Sequence, residues 1–457
     1  KSFKGEYKGN AAQGLEDEGD FANAEPLGYL QWNMDMIDAT PTGSYDVQPG
    51  RKQVKVGIID TGIDGHHPDL APNFSWPLSR NFTTDIPLID GECEDDPDGS
   101  CNDPRNADED GHGTHVAGIV GAAVNDLGVA GVAPNVTLVN LRAGQDSGYF
   151  FLQPSVDALT YAGDHGIDVV NMSYYIDPWL FNCVDNPADS PEDQMEQATI
   201  IEATFRALRY ARKRGVTLVS ATGNEWTDMG NPTFDPTSPD FPPGTEYDRD
   251  IDNSCLDLPL EGPKVIGVNA LGPSGRNSWY SNFGTEQSDV SAPGGDSFDD
   301  ARPDPQHRIL SSYSLNGILQ EEIGDPDDPK DDIDLIDDET GEPLTNRILR
   351  DCAEGTCGYY RYLQGTSMAS PHATGVAALI VSQYGHDNGG DWTLKPLETR
   401  QRLKSTARDH SCPPGGFQTY PEVPPEFEVG PKECDGNREF NGLYGHGIVD
   451  ALEAVGG

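Results

Sequence analysis

Residues 54–60 read VKVGIID, and this stretch decides the class of fold. It is apolar at most positions up to Ile59 and then ends in a carboxylate, Asp60. A run that is apolar on both faces is typical of a central strand in a parallel sheet, since a half-exposed strand alternates apolar and polar residues. Four further stretches have the same character and are also predicted to be strands. They are residues 136–141, 167–172, 216–221 and 264–270.

Segments with apolar residues at helical spacing lie between or beyond these strands. The longest contains ATIIEATFRALRYARKRG (198–215) and ends in three basic residues and a glycine, which is typical of a helix C-terminus. The alternation of strands and helices predicts a three-layer α/β fold, with a central parallel sheet covered by helices on both faces. The predicted helices span residues 112–123, 154–165, 192–214 and 368–384.

Several acidic, proline-rich segments interrupt this alternation. None of them contains enough apolar residues to form a core of its own, so we interpret them as loop insertions on one domain spanning residues 29–457. Residues 1–28 are polar and glycine-rich, and they are predicted to form an extended N-terminal arm. The insertions fall at about 83–108, 176–192, 227–262, 296–360 and 409–441.

The charge of the chain limits its partners. Its 457 residues include 77 acidic and 30 basic side chains, a formal net charge of -47. Nucleic acids and anionic membranes would repel such a surface, so neither is expected as a partner. Solubility, cation binding and attraction of basic substrates are three uses for the charge. No apolar run approaches the roughly 20 residues that a membrane span needs.

The eight cysteines lie in polar segments rich in Pro, Gly and Asp, and none forms a CxxC pair. This favours disulfides in an oxidising compartment, and therefore a secreted, extracellular protein, over zinc binding. Pairing of neighbours along the chain is one possibility among many, because the sequence leaves the connectivity open. That pairing would join Cys93 to Cys101, Cys183 to Cys255, Cys352 to Cys357 and Cys412 to Cys434.

Ser367 is a candidate nucleophile in the stretch GTSMASPHATG (365–375). Small neighbours permit a tight entry into the predicted helix, whose N-terminal N–H groups favour developing negative charge. A serine hydroxyl also needs a base, a group that orients the base, and donors for the oxyanion. Taken alone, Ser367 would more often be a simple helix cap.

Each of these requirements has a candidate. Asp60 ends a buried strand, which is where open α/β sheets build their sites, although a turn aspartate is the alternative. His112 in DGHGTHVAGIV (110–120) is a candidate base, and His115 competes with it. A metal site at these two histidines is disfavoured because the Glu of the HExxH pattern is missing. Asn224 in SATGNE (220–225) carries an amide that can donate to an oxyanion, or it is an ordinary loop residue.

Together the motifs DTGID (60–64), HGTHVAG (112–118), NMS (171–173), ATGN (221–224) and GTSMASPHATG (365–375) resemble the subtilisin family of serine peptidases. The order Asp, His, Asn, Ser also matches, over residues 29–455 apart from the insertions. The resemblance implies a secreted serine endopeptidase that hydrolyses peptide bonds through an acyl-enzyme. Ser367 would attack, His112 would serve as base and then acid, and Asp60 would orient the imidazole. The Asn224 amide and the Ser367 N–H would bind the oxyanion.

The resemblance also implies a substrate cleft. NMS would line one edge and QDSGYF (145–150) the other, so that an extended peptide adds as a strand between them. Tyr174 and Tyr175 depart from the family, which has an apolar residue and then glycine there. Asp110 and Glu225, together with the net charge, suggest a preference for basic residues before the scissile bond. The predicted substrate-binding residues are Asp110, Gly148, Ser173, Tyr174, Ala221, Gly223 and Glu225.

Structural Ca²⁺ is the expected cofactor. The stretch AVNDLGV (123–129) is similar to the family's calcium loop. Backbone carbonyls of Ala123, Leu127 and Val129, the side chain of Asn125 and the carboxylate of Asp69 would be the ligands. Oxygen-only ligand sets of this kind suit Ca²⁺. The other expected partners are a peptide or protein substrate and the chain's own propeptide, and the protein is expected to be a monomer.

Two alternatives to a broad degradative protease stay open. The long insertions and the tyrosine pair resemble the bacterial leader-processing branch of the family, which would make the protein a dedicated precursor-processing peptidase. A more distant alternative is a catalytically inactive, Ca²⁺-binding scaffold.

Overall fold

The structure is a computed structural model that describes residues 25–93, 99–323, 334–337, 339–389 and 391–457. Most of the arm predicted over residues 1–28 lies outside these ranges. The helices are α1 (Trp32–Met36), α2 (Ser44–Val47), α3 (Pro87–Asp90), α4 (His112–Gly121), α5 (Leu152–Asp164), α6 (Pro191–Lys213), α7 (Leu315–Ile323), α8 (Thr366–Tyr384), α9 (Pro396–Thr406) and α10 (Ala451–Ala454). The strands are β1 (Lys55–Ile59), β2 (Arg80–Asn81), β3 (Thr137–Arg142), β4 (Val169–Met172), β5 (Thr217–Ala221), β6 (Phe234–Asp235), β7 (Arg249–Asp250), β8 (Ile266–Leu271), β9 (Val290–Pro293), β10 (Ile309–Tyr313), β11 (Ile348–Ala353), β12 (Thr356–Leu363), β13 (His386–Asn388), β14 (Asp391–Thr393), β15 (Phe417–Gln418) and β16 (Lys432–Glu433).

The central sheet has seven strands in the order β2-β3-β1-β4-β5-β8-β9, and neighbouring strands pair in parallel. The predicted α/β fold with a parallel sheet is therefore confirmed. The five predicted strands correspond to β1, β3, β4, β5 and β8, and the four predicted helices to α4, α5, α6 and α8. The chain leaves β1 toward β3 on one side and later returns with β4 on the other side, so the strand order reverses at β1.

Alternate residues of the central strands pack on opposite faces of the sheet. In β1, Ile58 belongs to the apolar cluster that includes α4 and α8, and Ile59 belongs to the cluster that includes α5 and α6. In β4, Val169 and Val170 divide in the same way. This period of two explains why the strands are apolar throughout, because each face meets a layer of helices.

Two of the predicted insertions share a small apolar cluster, which differs from the expectation that they lack a core. Side chains from 176–192 and 227–262 pack together, and the Cys183–Cys255 disulfide joins the two segments. Each segment alone has few apolar residues, so the cluster exists only because the two segments meet. Its members are Leu180, Phe181, Cys183, Met229, Ile251, Cys255 and Leu260.

The insertion at 296–360 contains ordered structure of its own. Strands β10, β12 and β11 form a three-stranded antiparallel sheet in that order. Strands β6 and β7, and likewise β15 and β16, form two short antiparallel ribbons within two other insertions. The division into an N-terminal arm and one domain with insertions stays our proposal.

All eight cysteines are paired, each with its neighbour along the chain. The four bonds join Cys93 to Cys101, Cys183 to Cys255, Cys352 to Cys357 and Cys412 to Cys434. In the part of the chain that the structure describes, no helix combines the length and apolar character needed to cross a bilayer.

Candidate active site

The carboxyl ends of three adjacent strands meet at one crevice. Asp60 follows β1, Ser173 follows β4, and Asn224 lies three residues after β5. His112 is the first residue of α4 and Ser367 is the second residue of α8. In open α/β sheets this edge, next to the reversal of strand order, is where ligand sites form.

Asp60 and His112 form a buried pair. The Nδ1 atom of His112 lies 2.7 Å from Oδ1 of Asp60, whose side chain is fully buried, whereas a quarter of the His112 side chain is exposed. Because a carboxylate only accepts, Nδ1 must carry the hydrogen, and in the neutral ring Nε2 keeps its lone pair. Burial lowers the pKa of His112, but the charge and hydrogen bond of Asp60, with Asp110 and Asp108, outweigh it and raise the pKa to about 9.

The start of α4 is held by a residue that the sequence did not single out. Asp108 is buried and accepts hydrogen bonds from the Gly111 N–H at 2.9 Å, the Thr114 N–H at 2.7 Å and the Thr61 hydroxyl at 2.9 Å. A Cβ on Gly113 would lie 2.1 Å from the Gly62 carbonyl oxygen, so only glycine permits this close approach. These contacts place His112 against Asp60.

His115, the competing candidate, lies away from the crevice. It is fully buried, and its Nε2 atom lies 3.2 Å from the Ile309 carbonyl and 3.0 Å from the Arg361 carbonyl. Burial lowers its pKa to about 3. His115 is therefore a neutral core residue that ties α4 to strands β10 and β12.

Ser367 is half-buried and is positioned by the end of β4. Its hydroxyl donates to the Ser173 carbonyl at 3.3 Å, and the Ser173 hydroxyl donates to the Ser367 carbonyl at 3.1 Å. Buried Asn171 accepts hydrogen bonds from the hydroxyls of Ser370 at 2.7 Å and Thr374 at 3.0 Å, which docks α8 on β4. Ser367 and His112 line the same cavity.

Hydrogen bonds to its side-chain oxygen fix the orientation of Asn224. The Oδ1 atom accepts hydrogen bonds from the Thr366 N–H at 2.9 Å and the Thr366 hydroxyl at 3.0 Å. The amide nitrogen remains available to donate into the cavity that Asn224 also lines. The N–H of Ser367 belongs to the first turn of α8, where such groups have no partner within the helix. Two donors therefore lie beside the Ser367 hydroxyl.

All seven predicted substrate-binding residues line this cavity, whose volume is about 540 Å³. Asp110 is fixed at the His112 end, where its Oδ1 accepts the His112 N–H at 2.9 Å. Burial raises the pKa of Asp110, the nearby His112 opposes the rise, and the result is about 6. Gly223 has a φ of 94°, and a Cβ there would lie 2.4 Å from the Asn282 side chain.

The two tyrosines that depart from the family pattern shape the cavity. The ring of Tyr174 stacks on Phe150 with a centroid distance of 4.2 Å and an interplanar angle of 7°. Tyr175 donates its hydroxyl hydrogen to Asp240, which belongs to an insertion. The tyrosines thus connect the β4 edge both to the opposite edge and to the insertion.

Sequence reasoning missed three acidic lining residues and one apolar one. Asp177, Leu180, Asp240 and Asp257 all come from the insertions at 176–192 and 227–262. The three new aspartates, together with Asp110 and Glu225, make five acidic side chains in the lining. None of the described lining residues is Lys or Arg. Nothing in the local sequence marks them, because they reach the cavity only through the contact between the two insertions.

The predicted calcium loop brings the side chains of Asp69 and Asn125 together. Asp69 is fully buried, its Oδ2 accepts the Val129 N–H at 3.1 Å, and Asn125 lies 3.5 Å from Oδ1 through its amide nitrogen. The Asn125 side-chain oxygen accepts the Leu127 N–H at 3.1 Å, and Ala123 donates its N–H to the Asp69 carbonyl at 2.8 Å. Burial raises the pKa of Asp69 to about 8.

A second carboxylate at this loop was not predicted. One oxygen of buried Glu25 accepts the Asn125 N–H at 2.6 Å, and the other oxygen is buried without a hydrogen-bond partner. With Glu25 added, the proposed ligands are all oxygen atoms and include two carboxylates. Such a set fits Ca²⁺.

A further acidic group joins both ends of the insertion at 83–108 to the segment after β3. Carboxylate oxygens of Asp85, Asp103 and Asp146 lie within 4.8 Å of one another. The guanidinium of buried Arg142 contacts this group, at 2.6 Å from Asp103 and 4.0 Å from Asp85. Arg142 thus supplies a positive charge at this position.

Comparison with known proteins agrees with this geometry. The model of the subtilase family matches residues 51–447. A thermophilic serine proteinase of Bacillus sp. (strain AK1) is 29% identical over 365 residues, 80% of this chain and 59% of that protein. Subtilisin DY of Bacillus licheniformis is 28% identical over 354 residues, 78% of this chain and 83% of that protein. The crystal structure of the nisin leader peptidase from Lactococcus lactis is similar in fold, with a TM-score of 0.60, 20% identity and 93% of each chain covered.

Proposed function

As the chain belongs to the subtilase family and is a serine endopeptidase, we propose that it hydrolyses peptide bonds with an Asp60–His112–Ser367 triad through an acyl-enzyme. The observation that carries this proposal is the buried 2.7 Å contact between Asp60 and His112, in a cavity that Ser367 also lines. A fixed imidazole tautomer with a free Nε2 is what a serine nucleophile requires.

The proposed reaction begins when the Ser367 hydroxyl leaves the Ser173 carbonyl and donates to Nε2 of His112. Its oxygen attacks the substrate carbonyl carbon, the carbonyl π electrons move onto oxygen, and the proton passes to Nε2. The imidazolium, stabilised by Asp60, then protonates the leaving amine as the C–N bond breaks. A water molecule repeats these steps on the ester and releases Ser367.

The developing oxyanion would be bound by the Asn224 amide and the Ser367 N–H. Asn224 is preorganised, because Thr366 holds its side-chain oxygen before substrate arrives. Donors that are already aimed at the oxyanion stabilise the transition state without reorganising. Gly365 lies beside both donors, since a Cβ on it would be 3.6 Å from the Ser367 nitrogen and 3.8 Å from the Asn224 amide nitrogen.

The cavity would bind the residues before the scissile bond, with the backbone of an extended peptide between Ser173 and Gly148. We propose that basic residues are preferred there. The support is the five acidic side chains of the lining, which attract a cationic substrate at long range and hold it at short range.

We further propose that the protein is secreted, matures from its own propeptide and acts as a monomer. Its four disulfides support an extracellular location. When bound, Ca²⁺ would be held by Asp69, Asn125, Glu25 and the carbonyls of Ala123, Leu127 and Val129. It would offset the repulsion between the two carboxylates and stabilise the loop after α4.

A dedicated precursor-processing peptidase is the second candidate. It is favoured by the insertions, which place Asp177, Leu180 and Asp240 in the cavity and so narrow the set of peptides that fit. The structurally similar protein from Lactococcus lactis is described as a nisin leader peptidase. Slow digestion of casein combined with rapid cleavage of one basic site in a defined peptide would favour this candidate.

A fluorophosphonate probe tests the proposed function. It should label the folded protein once, on Ser367, and the Ser367→Ala variant should remain unlabelled. Folded protein that stays unlabelled, and that digests neither casein nor a peptide library, would instead indicate an inactive Ca²⁺-binding scaffold.

A further inference from the structure

Asp257 differs from the other four acidic residues of the cavity lining, whose carboxylates each accept a hydrogen bond. Asp257 is 4% exposed and lines the same cavity as Ser367 and Asn224. In the described part of the chain its carboxylate has neither a hydrogen-bond donor nor a cationic partner within reach. Two other buried carboxylates have cationic or hydrogen-bonding partners, since His112 contacts Asp60 and Arg249 contacts Asp189.

A buried carboxylate without a partner is costly, so natural proteins seldom keep one without a ligand or a role. Burial raises the pKa of Asp257 well above its ordinary value, and the charges of Glu225 and Glu261 raise it further. A cation that enters the cavity would offset this cost, and no cationic side chain of the described lining does so.

Hydrogen bonds hold the backbone on both sides of Asp257, and this keeps the residue at the wall of the cavity. Leu256 exchanges two backbone hydrogen bonds with Asn182, at 2.8 and 2.9 Å. The Leu258 carbonyl accepts the Ile176 N–H at 2.8 Å, and the Asp257 N–H donates to the Glu261 side chain at 2.8 Å. The Cys183–Cys255 disulfide also joins the segment that contains Asn182 to the segment that contains Asp257.

Glu225 differs from Asp257 although both line the cavity. Glu225 is exposed to solvent, and its carboxylate accepts a hydrogen bond from Asn282 at 2.6 Å. Solvent and this donor weaken its attraction for a substrate charge. Asp257 is buried, so a cation that reaches it gains a stronger interaction.

The position of the oxyanion donors indicates which substrate residue would reach Asp257. A carbonyl held by Asn224 and the Ser367 N–H belongs to the residue just before the scissile bond. The side chain of that substrate residue would enter the space between the segments Ser173–Tyr175 and Ala221–Gly223. Residues of both segments line the same cavity as Asp257. A long, flexible cationic side chain is suited to reach a buried carboxylate there.

We propose that Asp257 is the residue that determines specificity, by binding the guanidinium or ammonium group of an arginine or lysine just before the scissile bond. This inference rests on the proposed endopeptidase function and names the carboxylate that would carry its preference for basic residues. Glu225 and Asp110 then contribute mainly to attraction at longer range.

The test compares the wild-type protein with Asp257→Asn, which keeps the shape of the side chain and removes its charge. Peptides that differ only in Arg, Lys, Phe or Leu before the scissile bond are the substrates. Glu202→Gln is the matched control, since it removes one negative charge from an exposed site on α6 where Glu202 pairs with Arg206 at 2.6 Å. Fluorophosphonate titration counts the active sites of every variant.

In Asp257→Asn, kcat/KM for the Arg and Lys peptides should fall by about 100-fold or more, as expected when one partner of a buried charge pair is removed. The Phe and Leu peptides should be unaffected, and Glu202→Gln should behave as the wild type. Benzamidine, a small amidinium compound, should slow fluorophosphonate labelling of the wild type and not of Asp257→Asn. The benzamidine measurement on the wild type needs no variant and so does not depend on variant folding.

An equal loss for all four peptides, or no loss for Arg and Lys, would overturn the assignment to Asp257. Wild-type protein that is labelled but shows no preference for Arg or Lys, or whose labelling benzamidine leaves unchanged, would also overturn it, while the serine endopeptidase mechanism would stand. Failure of the wild type to be labelled at all would refute the proposed function itself. The two failures are therefore distinguishable.

Discussion

Replacing Asp60 by asparagine is expected to remove the main electrostatic support of the proposed catalytic base. In the wild type, the Asp60 carboxylate accepts the Nδ1–H of His112 at 2.7 Å and is fully buried. Asparagine has nearly the same shape but no charge, and its amide can donate to Nδ1. The imidazole would then lose both its counter-charge and the tautomer that leaves Nε2 free.

The magnitude follows from the pKa of His112, which is raised from an ordinary value of 6.5 to about 9. One pKa unit corresponds to about 1.4 kcal/mol, so the imidazolium is stabilised by about 3 kcal/mol, or roughly 10²-fold in rate. Burial acts against the charge, so most of this stabilisation comes from Asp60, with smaller contributions from Asp110 and Asp108. Loss of the correct tautomer adds to the effect, so 10²-fold is a lower bound for the drop in kcat.

The pH dependence of kcat/KM should show in which direction the substitution shifts the pKa of His112. Only the unprotonated imidazole acts as a base, so wild-type kcat/KM should fall as the pH drops below about 9. In Asp60→Asn this acid limb should move to lower pH. The raised pKa also stabilises the wild-type fold below pH 6.5, and this stabilisation is lost as the pH rises through about 9. The stability difference between wild type and variant should therefore be larger at pH 6 than at pH 10.

Steady-state kinetics on one chromogenic peptide between pH 5 and 11, with active-site titration, would measure these effects. Asp110→Asn is a useful comparison, because Asp110 also raises the pKa of His112 but through a smaller effect. It should shift the acid limb less than Asp60→Asn does. An Asp60→Asn enzyme with unchanged kcat above pH 9, or with its acid limb in the wild-type position, would refute the reasoning.

Three further substitutions probe other parts of the site. Asn224→Ala should lower kcat by about 10²–10³-fold with little change in KM, and an unaltered kcat would exclude Asn224 from the oxyanion site. Gly113→Ala should lower the free energy of unfolding by about 1–3 kcal/mol and reduce fluorophosphonate labelling, because its Cβ would lie 2.1 Å from the Gly62 carbonyl. Gly230→Ala is the control, since its Cβ would make only an ordinary contact at 3.4 Å, and equal Tm losses in the two variants would contradict the steric argument. Removing calcium with a chelator should lower the wild-type Tm and leave that of Asp69→Asn almost unchanged, whereas an equal response of both proteins would place the calcium elsewhere.

The fold class was predictable because its signal is local. Strand β1 is apolar on both faces, and the two apolar clusters on opposite sides of the sheet account for that pattern residue by residue. The insertion at 296–360 was less predictable, because β10 and β12 are far apart in the chain and are stabilised by pairing with each other and by packing in the main apolar cluster.

Part of the candidate site was likewise predictable from the sequence, and part was not. Short motifs identified Asp60, His112, Asn224 and Ser367, since each lies at a strand end or helix start with small neighbours. The resemblance to the family favoured His112 over His115, and the structure shows the difference in their surroundings, although both lie on α4. His115 is enclosed by the carbonyls of two distant strands, whereas His112 meets Asp60.

By itself, the sequence determined the parallel α/β architecture and supplied candidates, in order along the chain, for the residues that a serine peptidase needs. Those properties follow from residue type and short-range spacing. Only the tertiary structure decided that Asn182 pairs with Leu256 and that Asp257 thereby becomes a buried carboxyl group without a partner in the cavity. The physical reason is that the pairing joins two non-periodic segments far apart in the chain. Their meeting depends on the assembled fold and on no local pattern.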